Sequence, residues 1–287
     1  MLWNKNIEEK FFREKLKTNP PEKLFYKTQS GRYLAYWPKG YKGNSATLQS
    51  RNALIGEFTE KWVENLLQPL AEKLGIFVKR QVICEELSLD KKSPADIALV
   101  RVNRNRVKPE EILLIIEVKM SIVWNWEYIP KNNELKCIGD YTTHKGNPSL
   151  LRSDTMLKAI GKSLNIRISD VRASKIPIVV IGNTPISESY YKKVDILKRI
   201  GIIQGFFSVN PNFGIKNTPG KGFIRIDNEK ELYEDLENLI NSKKVFFGAM
   251  LSEEELGKII EKANQGKSLH EKAKIFLKLL RNGEGEV

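Results

Sequence analysis

Apolar residues fill every position from Ile112 to Ile116, and the run ends abruptly in Glu117-Val118-Lys119. An uninterrupted aliphatic run of this length reads as a β-strand buried on both faces. A second such run, Ala95-Asp96-Ile97-Ala98-Leu99-Val100, precedes it, and a basic polar stretch, 103–110, lies between them as a turn. Upstream, Leu54, Ile55, Phe58, Trp62, Val63, Leu66, Leu67, Leu70 and Leu74 recur at helical spacing, and Gly75 ends the pattern. Pro69 predicts a kink or a second helix start. Residues 76–78 and 82–84 read as the first strand of the core. Trp124, Trp126 and Tyr128 alternate as a strand does, and pack either an extended excursion or a subunit contact.

Further along, the spacing predicts a helix over 149–164, with Leu150, Leu151, Met156, Leu157, Ile160 and Leu164 as its buried stripe. A buried strand follows at 176–183, a helix at 187–199, and strands at 202–209 and 222–226. From 228 onward the pattern is helical, over 229–242, 252–263 and 268–280. This alternation predicts an α/β fold with a central mixed β-sheet flanked by helices. Residues 1–50 lack sustained periodicity and read as a basic, aromatic arm. Residues 51–227 form the core, and 228–287 a helical extension of mixed charge, either a solvated bundle or a dimerisation element. The extension and core could form one compact unit.

Charged side chains at the end of a buried strand are costly unless partnered. Glu117 and Lys119 project to the same side of the strand. A hairpin whose turn centres between Arg106 and Val107 sets Asp96 opposite Glu117, so two carboxylates and an ammonium meet at one point. One reading is a solvated strand end with a same-face ion pair, worth less than ~1 kcal/mol. The other is a metal site. Glu-x-Lys also occurs at Glu8-Glu9-Lys10 and Glu134-Leu135-Lys136, but there it follows no buried strand. Mg²⁺ takes oxygen ligands, commonly one or two carboxylates with water and phosphate. Asp96 and Glu117 supply the carboxylates, and the Val118 carbonyl a third oxygen. Lys119 would neutralise transition-state charge or orient the attacking water.

Asp96 followed by Glu117-Val118-Lys119 resembles the signature of the PD-(D/E)xK nuclease superfamily, which includes type II restriction endonucleases. The residue before Asp96 is Ala95, and the proline sits one place earlier, at Pro94. The resemblance covers roughly residues 51–185. It implies a restriction-endonuclease-like core and phosphodiester hydrolysis of double-stranded DNA with Mg²⁺, or with Mn²⁺ as its substitute. A helix carboxylate is also implied: Gly56-x-x-x-Glu60 looks like the superfamily pattern, with Glu60 holding a metal-bound water or simply solvated, and Glu57 as the alternative. In the superfamily the helix after the catalytic strand flanks the site, so Arg152 or Ser153 would contact phosphate or water, against capping and solvation as the plainer roles. Cutting both strands implies a homodimer. The alternatives are a junction-selective recombination or repair nuclease and a non-catalytic DNA-binding protein of the same fold.

Composition narrows the classes. There are 48 Lys plus Arg against 35 Asp plus Glu, a net charge of +13, which attracts polyanions. Basic, glycine and aromatic residues interleave over 27–44, and Lys39, Lys42 and Arg51 are placed to contact phosphates. Two histidines are too few for His-rich zinc chemistry, and no Walker-type phosphate loop appears, so ATP is not expected. Two cysteines without a C-x-x-C, no secretory leader pattern and no span-length apolar stretch suggest a cytoplasmic protein that does not cross the membrane.

Overall fold

The computed structural model describes residues 2–43, 48–210, 214–242 and 253–282. Helix α1 (Lys5–Leu16) leads into two short strands, β1 (Tyr26–Lys27) and β2 (Tyr33–Leu34), and the long helix α2 (Gln49–Leu74). Then come β3 (Phe77–Val82), β4 (Ala95–Val100), β5 (Ile112–Lys119), β6 (Asn125–Ile129) and β7 (Glu134–Gly139). Helix α3 (Ser153–Ser169), β8 (Ile178–Gly182), α4 (Tyr191–Arg199), β9 (Gly205–Ser208) and β10 (Phe223–Arg225) complete the α/β part. Helices α5 (Glu229–Asn241), α6 (Glu253–Ala263) and α7 (Leu269–Asn282) follow.

Among the described residues, six strands form a mixed sheet in the order β10-β9-β8-β5-β4-β3. Strands β3, β4 and β5 are antiparallel neighbours, whereas β5, β8, β9 and β10 run parallel. Parallel strands need crossovers, which α3 and α4 supply, and helices then cover both faces. Ile97, Leu99, Leu114 and Ile116 face α2, α1 and α5, in a cluster with Phe11, Val63, Leu67 and Leu232. Ala98, Val100 and Ile115 face the other way, toward Ile166 of α3, while Val180 and Phe206 pack with Met156, Val194 and Leu197. The parity matters for the site, because Asp96, Glu117 and Lys119 fall on the α3 face.

A second, antiparallel sheet, β1-β2-β6-β7, pairs the N-terminal segment with the excursion after β5. The described residues among 1–50 therefore pack on the core rather than standing off it as an arm. Trp3, Phe11, Phe12 and Phe25 are buried with α2 and β5. Glu8 is fully buried, and its carboxylate accepts four N–H groups: the backbones of Val123 (2.6 Å) and Trp124 (3.1 Å) and the indoles of Trp3 and Trp126 (both 3.0 Å). These contacts close the excursion onto α1. Residues 44–47 of the basic stretch lie outside the described residues.

Helix α2 runs unbroken through Pro69 and ends at Gly75, whose left-handed conformation (φ 66°) closes the helix with bonds to Ala71 and Glu72. Helix α5 is part of the core: Leu232 and Leu236 are buried, and the Tyr233 hydroxyl donates to the Leu66 carbonyl at 2.6 Å. The expected stripe on α3 is out of phase, since Leu157 and Leu164 are exposed and the buried positions are Met156, Ala159, Ser163, Ile166 and Arg167. Residues 149–151 form a separate 3₁₀ turn, so the helical period does not extend through them. Of the predicted C-terminal elements and loops, residues 211–213 and 252 lie outside the described residues.

Candidate active site

Strands β4 and β5 pair with Ile97 opposite Ile116 and Ala98 opposite Ile115, and a bulge follows between Leu99 and Val100. This register carries Asp96 to the level of Glu117. Asp96 turns onto the β5 backbone, where its Oδ2 accepts the Val118 N–H at 2.8 Å. Glu117 is buried, and its Oε1 pairs with the Lys119 ammonium. Lys119 Nζ also lies 3.6 Å from Asp96 Oδ2 and 3.5 Å from the Val118 carbonyl. The three expected side chains and the expected carbonyl therefore meet around one cationic group.

A second cation joins them from α3. Lys162 Nζ is 3.0 Å from Asp96 Oδ1 and 2.7 Å from Glu117 Oε2, so it bridges the two carboxylates. Lys162 is not among the expected site residues, which on this side of the site are Arg152 and Ser153. With the helix phase set by Met156, Ala159, Ser163 and Ile166, position 162 lies beside the small residues that let α3 approach the sheet.

Burial opposes ionisation of Asp96, but Lys119, Lys162 and the Val118 N–H outweigh it and hold the carboxyl below its ordinary range. Glu117 is pushed up by burial and then by the Asp96 charge, with the two lysines only partly compensating. Lys162 also suffers from burial, yet the two carboxylates keep its pKa above the ordinary value. The environments of the two carboxyl groups thus push them apart, with Asp96 the more firmly anionic.

Glu60 sits on α2, and its carboxyl is raised by burial and by the charge of Asp96, while Gln81 counteracts. Gln81 Nε2 donates to Glu60 Oε2 at 2.7 Å. Gln81 occupies a left-handed backbone conformation (φ 54°) within β3, between the pairs Arg80–Ile97 and Val82–Ala95, and so lies across from Asp96. A non-glycine residue there stores roughly 1–3 kcal/mol of strain. Glu57 points elsewhere and pairs with Lys15 at 3.3 Å.

The exit of β5 is pinned by buried polar groups. Asn183, at the end of β8, accepts the Ser121 N–H at 3.0 Å and donates to the Ser121 carbonyl at 2.7 Å. The Ser149 hydroxyl donates to the Lys119 carbonyl and accepts the Asn183 N–H at 3.1 Å. These bonds fix the backbone that carries Lys119.

Beside Lys119 opens a cavity of about 580 Å³ whose walls include Tyr26, Tyr36, Trp37, Arg51, Lys145 and Arg152. Ser153 also lines it. Arg51, expected to contact phosphate, is 3 % exposed. Its guanidinium donates to the Leu24 and Ala35 carbonyls and lies 4.7 Å from the Tyr36 ring centre. Arg152 is half-exposed, 3.4 Å from Asp154. Lys39 lines a neighbouring cavity of about 420 Å³ with His144 and Lys145, and Lys42 is an exposed residue outside both.

The donor set around Asp96 fits a hard divalent cation. Two carboxylates from adjacent strands already share one positive charge, that of Lys162, and the Val118 carbonyl faces the same cluster. Among the described residues no group of three or more His, Cys, Asp or Glu side chains converges for a metal, so water and substrate would complete the shell. No helix among those residues is long and apolar enough to cross a membrane. Comparison with protein-family models, curated proteins and solved structures finds no match to this chain.

Proposed function

We propose that the chain is a Mg²⁺-dependent endonuclease of double-stranded DNA, of the type II restriction kind, acting as a homodimer. One observation carries the reading: Asp96 and Glu117, from neighbouring strands, converge with Lys119 on a shared cation. The net charge of +13 and the basic cavity beside Lys119 support a polyanionic substrate.

Asp96, Glu117 and the Val118 carbonyl are the oxygens that would hold the ion, and Mn²⁺ suits the same donors. When bound, Mg²⁺ supplies Lewis-acid stabilisation of the phosphoryl oxygens and lowers the pKa of a coordinated water. Lys119, held by its carbonyl and by Glu117, presents an ammonium to the charge that grows on the phosphorane. Lys162 bridges the same two carboxylates, where its ammonium would offset phosphate charge. Glu60, its carboxyl raised by burial and held by Gln81 at 2.7 Å, would be the α2 group to exchange a proton with water at the site.

The test is incubation of purified protein with plasmid and Mg²⁺. Discrete fragments, lost on Asp96→Ala and on Lys119→Ala, are expected. Intact plasmid with Mg²⁺ and with Mn²⁺, over a range of substrate sequences, would remove the reading.

A further inference from the structure

Lys119 belongs both to the carboxylate cluster and to the wall of the 580 Å³ cavity, so whatever fills the cavity adjoins the reacting centre. The cavity's charge is one-sided. Arg51, Lys119, Lys145 and Arg152 line it, and among the described residues no Asp or Glu does. Arg51 is the most telling of the four. It is buried, its hydrogen bonds go to two carbonyls, and among the described residues no carboxylate pairs with it. The Tyr36 and Tyr26 rings, 4.7 and 5.5 Å from its guanidinium, offset part of that burial. A desolvated cation without a counter-ion at a cavity wall is completed by an anion from outside.

The remaining wall is aromatic and polar. Tyr26 and Trp37 approach at 5.2 Å, and Trp37 stacks on Tyr41 at 4.0 Å with the planes 3° apart. Ser121, Ser153 and Asn52 add groups that can donate or accept. Cations for a phosphate, rings for a heterocycle and hydrogen-bonding groups for its edge are the requirements of one nucleotide. The volume lies within the roughly 300–1,000 Å³ usual for sites of small organic ligands. That suits one nucleotide.

We infer that this cavity receives a single unpaired nucleotide of the strand being cut, its phosphate toward Arg51, Lys145 and Arg152 and its base against Tyr26 and Trp37. The inference rests on the nuclease reading for the identity of that strand. Entry of a base requires unstacking, which is cheapest where the base is already unpaired.

The experiment measures binding of fluorescent duplexes in EDTA, so that cleavage plays no part. One duplex is fully paired, and the other carries one unpaired nucleotide at its centre. The expected result is about tenfold tighter binding of the second, with the ratio falling to about one in Trp37→Leu and in Tyr26→Leu. Equal binding of the two duplexes by the wild type, or an unchanged ratio in both variants with native-like thermal melts, overturns the inference. So does full competition by free thymidine monophosphate, which would assign the cavity to a mononucleotide. Should a preference for the unpaired duplex appear without cleavage in Mg²⁺ or Mn²⁺, the nuclease reading falls and the cavity assignment stands. Cleavage without the preference has the opposite meaning.

Discussion

Asp96 and Glu117, on adjacent strands, share the ammonium of Lys162 at 3.0 and 2.7 Å. A buried pair of carboxylates is stable only with compensating charge, and here each has two lysine neighbours. The arrangement predicts how the site responds to loss of each member.

Asp96→Asn keeps the shape and removes the more firmly ionised carboxylate. Cleavage should fall by about 10²–10³-fold or more, with DNA affinity in EDTA nearly unchanged. Single-turnover cleavage and gel-shift titration measure the two separately. Near-normal cleavage by the variant would exclude Asp96 from the site.

Lys162→Met leaves the two carboxylates facing Lys119 alone. Without divalent ions the variant should melt several degrees below the wild type, since a lost buried partner costs roughly 3–5 kcal/mol. Adding Mg²⁺ or Ca²⁺ should recover more of the melting temperature in the variant than in the wild type. Equal shifts in the two proteins would show that the ion and Lys162 do not compete for the carboxylates.

Gln81→Gly relieves the left-handed backbone and releases Glu60. Thermal stability should hold or rise by up to about 1 kcal/mol, while the cleavage rate falls and its pH profile moves. A variant that is both destabilised and fully active would deny Gln81 a positioning role.

Asn183→Ala strips the Ser121 N–H and carbonyl of their partners. The predicted loss is about 2–4 kcal/mol in unfolding free energy, with kcat reduced more than KM is raised. Chemical denaturation and steady-state kinetics on one preparation decide it. Unchanged kinetics would mean that the pinned backbone does not govern Lys119.

Glu8 offers the pH test. Burial raises its carboxyl from 4.5 to about 7, against the four N–H donors. The folded state therefore binds the proton more tightly than the unfolded state does. This contribution is fully present below about pH 4.5, declines as pH rises toward 7 and is absent above it. The span corresponds to about 3 kcal/mol. The difference in unfolding free energy between wild type and Glu8→Gln should change across that window. A pH-independent difference would refute the assignment.

The pairing of Asp96 with Glu117 was legible because both strands are uniformly apolar and a hairpin turn allows only a narrow choice of register. The mixed sheet and the core helices followed from the same periodicities. Lys162 was hidden by a phase error. The leucines at 150 and 151 continue a helical pattern that the backbone abandons at a 3₁₀ turn, so the buried face of α3 was drawn on the wrong side. Arg51 was read as a surface cation because its cover, Tyr26 and Tyr36, comes from a stretch without periodicity. The N-terminal segment failed for a related reason. Trp3, Phe11 and Phe12 are too sparse to mark a stripe, and their ring partners Phe58, Trp62 and Trp126 lie far along the chain.

That distance has a consequence for biogenesis. Trp3 donates its backbone N–H to the carbonyl of Val209 at 3.0 Å, and Glu8 is held by the segment 123–126. The contacts of Trp3 and Glu8 with these segments thus close only once chain well downstream has been made. Until then the Glu8 carboxyl lacks its partners at Val123, Trp124 and Trp126, and the α1 face that receives them stays open to chaperones and to self-association.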